Sequence, residues 1–188
     1  GKWIIQNAFS MCTECRKYYP EFRVSINLSY VQILKSPLMM ELKQMIEHSG
    51  ISCSGIIVEL TESGYLEGTP AVRSVWNDMK QLRIQIALDD FGTGYSNLMN
   101  ISNLEPDIVK LDRGFTLKAL SRSYEYQLMQ YVIEMVHKLN QYVCVEGVET
   151  KEDLEKIKAL GPDLIQGYYY SKPCSRDEFL KKFFGYSE

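Results

Sequence analysis

The sequence predicts an α/β fold, a barrel of parallel strands wrapped by helices, and three observations carry that expectation. Six β-type runs are separated by helical ones at a mean spacing of about 30 residues, the length a strand, crossover helix and return require. Within the strands, alternate residues differ in kind. Val24, Ile26 and Leu28 oppose Arg23, Ser25 and Asn27, and Ile84, Ile86 and Leu88 oppose Gln85, Ala87 and Asp89. One face suits covering helices and the other is small or mixed, whereas a doubly wound sheet, covered on both faces, reads as near-continuous apolar strands. Finally, strand after strand closes on a polar residue, and a (β/α) barrel gathers such residues at the C-terminal rim.

Residues 1–18 read as a helix with Trp3, Ile4, Ala8, Met11, Cys12 and Cys15 along one stripe, closed by Pro20. Residues 22–28 follow as a strand. Ser36-Pro37 opens the next helix, a cap followed by proline at the first helical position, and Gly50 closes it. Residues 56–60 form a strand, a helix runs from Thr69-Pro70 to Arg83, and residues 84–89 and 107–111 are strands. One long helix then reaches Leu139, with Leu128, Tyr131, Val132, Met135, Val136 and Leu139 on its apolar stripe. Residues 142–145 form a strand. Thr150 caps a short helix with Asp153 at its third position, residues 164–166 form the last strand, and Ser175 opens a terminal helix.

A chain of 188 residues is long enough for one domain with a full hydrophobic core. Apolar residues at 45% and charged residues at 24% exclude a disordered or fibrous class. Twenty-one basic against 24 acidic side chains give a net charge of −3 with no run of either sign, which disfavours a nucleic-acid polymer as partner. No apolar stretch approaches the roughly 18 residues of a membrane span, and no signal peptide opens the chain. Five cysteines, an odd count, fit a reducing cytoplasm better than a disulfide framework. Cys12 and Cys15 form a C-x-x-C inside a helical pattern with no second pair at metal spacing, and read as helix thiols. The histidines, His48 in the last turn of its helix and His137 in mid-helix, leave the chemistry to other groups.

Those other groups stand at the strand ends: Asn27, Glu59, Asp89 with Asp90, Lys110, Glu146 and Gln166. Carboxylates packed together repel unless a cation neutralises them. A donor set of oxygens, without thiol or imidazole, favours Mg²⁺ or Mn²⁺ over Zn²⁺. Adjacent Asp89 and Asp90 can serve two ions, and two ions about 3.5–4 Å apart suit in-line attack at phosphorus. Lys110 can orient or acidify the attacking water, or stabilise developing phosphorane charge. One polar residue at a strand end is ordinarily a cap or turn former; six strands in succession ending so resist that explanation. The loop Phe91-Gly92-Thr93-Gly94-Tyr95-Ser96 holds two glycines that permit a tight path beside a ligand or partner, or simply a turn. Glu62, three residues beyond Glu59, can pin that loop or stand solvated.

Taken together, the runs resemble the EAL domain family, the cyclic-di-GMP phosphodiesterases of bacterial signalling. They are Ser25-Ile26-Asn27-Leu28-Ser29, Glu59-Leu60-Thr61-Glu62-Ser63, Asp89 through Ser96, Lys110-Leu111-Asp112-Arg113, Glu146-Gly147-Val148-Glu149-Thr150, and Gln166 through Pro173, in the family's order. The resemblance implies Asn27, Glu59 and Asp89 on the first of two Mg²⁺ or Mn²⁺ ions, and Asp89, Asp90 and Glu146 on the second. It implies Lys110 and Gln166 at the hydrolytic water, Glu62 anchoring the 91–96 loop, and that loop coupling the site to dimerisation. It further implies cyclic di-GMP as ligand, cut to linear pGpG, a homodimer, and cyclase or sensor domains upstream. The implied location is cytoplasmic, alone or as the cytoplasmic part of a larger membrane-anchored bacterial protein. Leu111, Asn97 and Val145 replace the family's isoleucine, serine and alanine.

No Glu-Ala-Leu tripeptide occurs, nor the arginine near it; in the family both precede the helix that opens this chain. The expectation is therefore a single domain over residues 1–188, an EAL-type TIM-like (β/α) barrel without its first two strands and with one metal ligand missing. Turnover by this chain alone is expected to be weak or absent. The alternative is a non-catalytic EAL-type module that binds cyclic di-GMP or mediates dimerisation.

Overall fold

A computed structural model describes residues 1–29, 32, 37–61, 70–93, 101 and 104–185, the side chains of Thr61 and Ala71 excepted. In chain order the elements are α1 (Lys2–Cys15), β1 (Val24–Asn27), α2 (Leu38–Ser49), β2 (Ile56–Thr61), α3 (Pro70–Gln81), β3 (Gln85–Phe91), β4 (Ile108–Leu111), α4 (Arg113–Ser121), α5 (Ser123–Lys138), β5 (Tyr142–Val145), α6 (Lys151–Lys158), β6 (Leu164–Ile165) and α7 (Arg176–Phe184). The alternation expected from the sequence is present: β5 has its expected bounds, β2 and β3 are one residue longer, and β1, β4 and β6 are one to three residues shorter. The chain forms two compact units, Gly1–Glu59 with Glu67–Ile86 and Pro173–Glu188, and Leu60–Leu66 with Ala87–Lys172.

In the first unit β1 and β2 run parallel, from Val24 opposite Ile56 to Asn27 opposite Glu59. The Leu28 amide extends the ladder by donating to the Glu59 carbonyl at 3.0 Å. Helix α1 buries Ile5, Phe9, Cys12 and Cys15, while Trp3 and Ile4 stand 73% and 62% exposed. Cys12 and Cys15 of the expected stripe are buried as expected, while Ile5 and Phe9 take the inward places expected of Ile4 and Ala8. Positions 4, 8 and 11 and positions 5, 9 and 12 share the same helical spacing, and packing chooses between them. The Cys12 thiol donates toward the Gly55 carbonyl at 3.5 Å. Both helix thiols are buried, as the sequence implied, and burial pushes them up, Cys15 to about 11, which disfavours the thiolate. Helix α2 begins at Leu38 with Pro37 itself in the capping position, one place later than expected, and ends at Gly50 in the left-handed region. The Ser36 and Thr69 caps lie outside the described residues. Helix α7 opens with a Ser175–Glu178 capping box and brings Phe179 and Phe184 onto the Phe22 ring, with centroids 6.0 and 6.2 Å away.

In the second unit the strands run parallel in chain order, with Leu88 opposite Val109, Val109 opposite Val143, and Cys144 opposite Leu164. Ile108, Val109, Leu111, Val143 and Val145 are fully enclosed, and each such side chain contributes about 1.5–3 kcal/mol of burial. The single long helix expected to reach Leu139 is two. Arg122 is extended, with φ −138° and ψ 130°, between α4 and α5. The Ser121 hydroxyl donates back to the Leu117 and Lys118 carbonyls at 2.9 and 3.1 Å, an alternative that serine offers to a continuing helix. The apolar stripe of α5 is Met129, Ile133 and Val136; of the expected set Val136 is buried, and Leu128, Tyr131 and Leu139 are exposed. His137 stands in the last turn of α5 rather than mid-helix, its Nε2 lying 2.9 Å from Asp163 Oδ2, which also accepts the Val143 amide at 2.8 Å. The Thr150–Asp153 capping box of α6 is as expected. No helix among the described residues is long and apolar enough to cross a membrane.

Candidate active site

Strand β3 would, if regular, point Asp89 and Asp90 to opposite faces. It is not regular: its pairing with β4 shifts register between Leu88 and Phe91, and Asp90 takes a φ of 61°. Aspartate is among the few side chains that tolerate that region, and a bulge is the usual device for re-aiming side chains at a site. Burial and the charges of Asp89 and Asp112 push the Asp90 carboxyl above its ordinary range, and the Lys110 charge pulls against that shift.

Lys110 is the third residue of β4 and only 4% exposed. Its Nζ lies 2.9 Å from Asp89 Oδ1 and 2.7 Å from Glu146 Oε1. Asp89 Oδ1 is buried and has no hydrogen-bonding partner, so its contact with the ammonium is a charge contact without hydrogen-bond alignment. Glu146 follows the end of β5, held by its own amide donating to the Leu111 carbonyl at 3.1 Å. Gln166 follows β6 and is exposed, its amide donating to the Val145 carbonyl at 2.9 Å. After it the chain presses on the β5–α6 loop: a Cβ at Gly167 would fall 2.0 Å from the Val148 carbonyl oxygen, so only glycine fits.

One contact escaped the sequence reading. Arg113, first residue of α4, donates from Nε and Nη2 to Glu149 Oε1 at 3.2 and 2.7 Å. Its stem crosses Gly147, where φ is 79° and a Cβ would lie 2.3 Å from Arg113 Cγ. Both residues stand in motifs the sequence offered, but nothing local to either segment says that they meet.

In the first unit, Asn27 ends β1, exposed, and faces the buried Glu59 of β2 across the ladder. Phe91 is buried, Gly92 half-buried and Thr93 exposed; Glu62, Gly94, Tyr95 and Ser96 lie outside the described residues. Among the described residues no group of three or more His, Cys, Asp or Glu side chains is gathered to hold a metal ion. In the second unit the Lys110 ammonium contacts Asp89 and Glu146 instead. An all-oxygen donor set, with a buried carboxylate oxygen that no donor satisfies, fits a hard divalent cation.

Residues 1–173 match the EAL domain family. The chain belongs to that family. In Escherichia coli (strain K12), the cyclic di-GMP phosphodiesterase PdeF is 31% identical over 171 residues, which cover 91% of this chain and 23% of PdeF. The chain therefore spans less than a quarter of that relative's length. The solved structure of the EAL enzyme Bd1971 in its cAMP- and cyclic-di-GMP-bound form superposes with a TM-score of 0.91 at 29% identity, covering 97% of this chain and 50% of that one. Klebsiella pneumoniae BlrP1, solved at pH 6 as a manganese and cyclic-di-GMP complex, superposes with a TM-score of 0.77 at 25% identity, covering 91% of this chain and 43% of that one. The fold is the TIM-like α/β fold of EAL proteins, with six of its strands among the described residues.

Proposed function

We propose that residues 1–188 act as one EAL-type domain that binds cyclic di-GMP and opens one of its phosphodiester bonds to give linear pGpG. The observation that carries this reading is buried Lys110 in contact with Asp89 and Glu146 beside a bulged β3. Support for the substrate comes from relatives named as cyclic di-GMP phosphodiesterases and from a cyclic-di-GMP complex of similar fold. The single family match covers residues of both units, which supports reading them as one domain.

Asn27, Glu59 and Asp89 would hold one Mg²⁺ or Mn²⁺ ion, and Asp89, Asp90 and Glu146 a second. Bound there, the ions would supply Lewis-acid polarisation of the phosphate and a more acidic water. Lys110 donates to that water and orients a lone pair toward phosphorus, with the Gln166 amide holding the same water. One water adds across one P–O3′ bond, leaving a 5′-phosphate and a free 3′-hydroxyl. Glu62 anchors the loop from Phe91 to Ser96, through which a second copy in a homodimer would act on the site. A place in the cytoplasm, beside cyclase or sensor domains, completes the reading.

One fact favours a second reading for these residues by themselves. No Glu-Ala-Leu tripeptide stands among them, so one carboxylate of the family's set is not supplied. The chain then binds cyclic di-GMP, or mediates dimerisation, without turning substrate over. Incubation with cyclic di-GMP and Mn²⁺, with pGpG followed by chromatography and binding by calorimetry, tests both readings. Binding with slow or no product formation is expected. Rapid hydrolysis by the 188-residue chain would overturn the weak-turnover expectation, and absence of binding would overturn the cyclic-di-GMP reading itself.

A further inference from the structure

We propose that Lys110 is the resident counter-cation of the metal site: its ammonium holds Asp89 and Glu146 together when no divalent ion is bound, and gives up Asp89 when one enters. This rests on reading Asp89 and Glu146 as metal ligands. The geometry argues for it in three steps. Two carboxylates reach one buried point, with Asp90 beside the first, and such a cluster repels itself wherever water is excluded. The Lys110 Nζ, at 2.9 and 2.7 Å from the two, is the charge that keeps them assembled. A divalent ion needs the same oxygens at about 2.0–2.1 Å, and two cations cannot share them without strong mutual repulsion.

The two contacts are unequal. At Glu146 the distance is the shorter, and at Asp89 the oxygen has no hydrogen-bond alignment with the ammonium. Asp89 is therefore the partner released more readily, and it is also the carboxylate read as shared by both ions. Lysine suits the task because its ammonium is a compact charge on a flexible four-carbon stem, able to swing without moving β4. Loading of the site and release of Lys110 toward the water are then one event: the residue meant to orient the nucleophile is held off until the metal arrives.

The test is Mn²⁺ binding to the full chain, followed by the electron paramagnetic resonance signal of free Mn²⁺, in the wild type, Lys110→Met and Lys110→Arg. Removing the charge should tighten Mn²⁺ binding by about tenfold, while the arginine variant stays near the wild type. Metal-free Lys110→Met should also melt at lower temperature and recover more on adding Mn²⁺ than the wild type does. Equal or weaker binding by Lys110→Met, with the wild type binding Mn²⁺, overturns the counter-cation role alone. If neither protein binds Mn²⁺, the metal-site reading falls with it. Should Lys110→Met fail to fold, Lys110→Gln is measured in the same way. Loss of fold in both that saturating Mn²⁺ does not restore also overturns the proposal, because the ion then fails to replace the ammonium.

Discussion

The segments 110–113 and 146–149 meet twice, three residues apart, and the two meetings differ only in surroundings. Lys110 and Glu146 touch at 2.7 Å with side chains 6% and 17% exposed; Arg113 and Glu149 touch at the same distance with side chains 57% and 38% exposed. Equal distances do not mean equal energies. The outer pair is screened by water and its loss costs the fold little, whereas the inner one holds its charges where little water reaches them. The inner pair seats a buried cation between two carboxylates; the outer acts as a strap across Gly147.

The largest effect that sharpens this contrast is on the inner pair. Lys110→Met should cost about 3 kcal/mol of metal-free stability in urea titration, because two half-buried carboxylates lose their buried cation. An unchanged midpoint would erase the distinction between the pairs. Next comes the strap's seat. Gly147→Ala places a Cβ 2.3 Å from Arg113 Cγ at a positive φ, and should cost about 2 kcal/mol. Adding Arg113→Ala should recover the steric share and leave the backbone share, which a double-mutant cycle separates.

A smaller effect of opposite sign is expected at Asp90. Its carboxyl titrates above the ordinary range in the fold, so the protonated form is the favoured one. That stabilisation is complete below the ordinary carboxylate value and is lost as pH rises through the raised one. Asp90→Asn should therefore raise the melting temperature of the metal-free protein at neutral pH. At about pH 3 it should change little, since the wild-type group is then protonated in both states. A rise of the same size at both pH values would break the argument. Smallest of all, Glu149→Gln should leave the urea midpoint in place, and wild type and variant should respond alike to added salt.

The positions of the candidate residues were legible because they sit in runs whose type and order carry meaning: Asn27 ends β1, Glu59, Asp89, Asp90 and Lys110 lie one or two places inside the ends of β2, β3 and β4, and Glu146 and Gln166 follow β5 and β6. The bulge at Asp89 and Asp90 was not anticipated, because register is a relation between two strands and only one is visible in a local run. Arg113 and Glu149 were visible as residues and invisible as a pair for the same reason.

The sequence by itself determined what neighbours within about four residues can decide. It set the capping boxes at Thr150 and the left-handed stop at Gly50, and the alternation of strand and helix. Only the tertiary structure decided which residues turn inward beside the expected Cys12, Cys15 and Val136, namely Ile5 and Phe9 in α1 and Met129 and Ile133 in α5. It likewise broke the helix at Arg122 and seated Lys110 against Asp89 and Glu146. Helical spacing is degenerate to rotation by one residue, and a buried charge takes its partners from other strands. Both choices are made by groups far away in the chain.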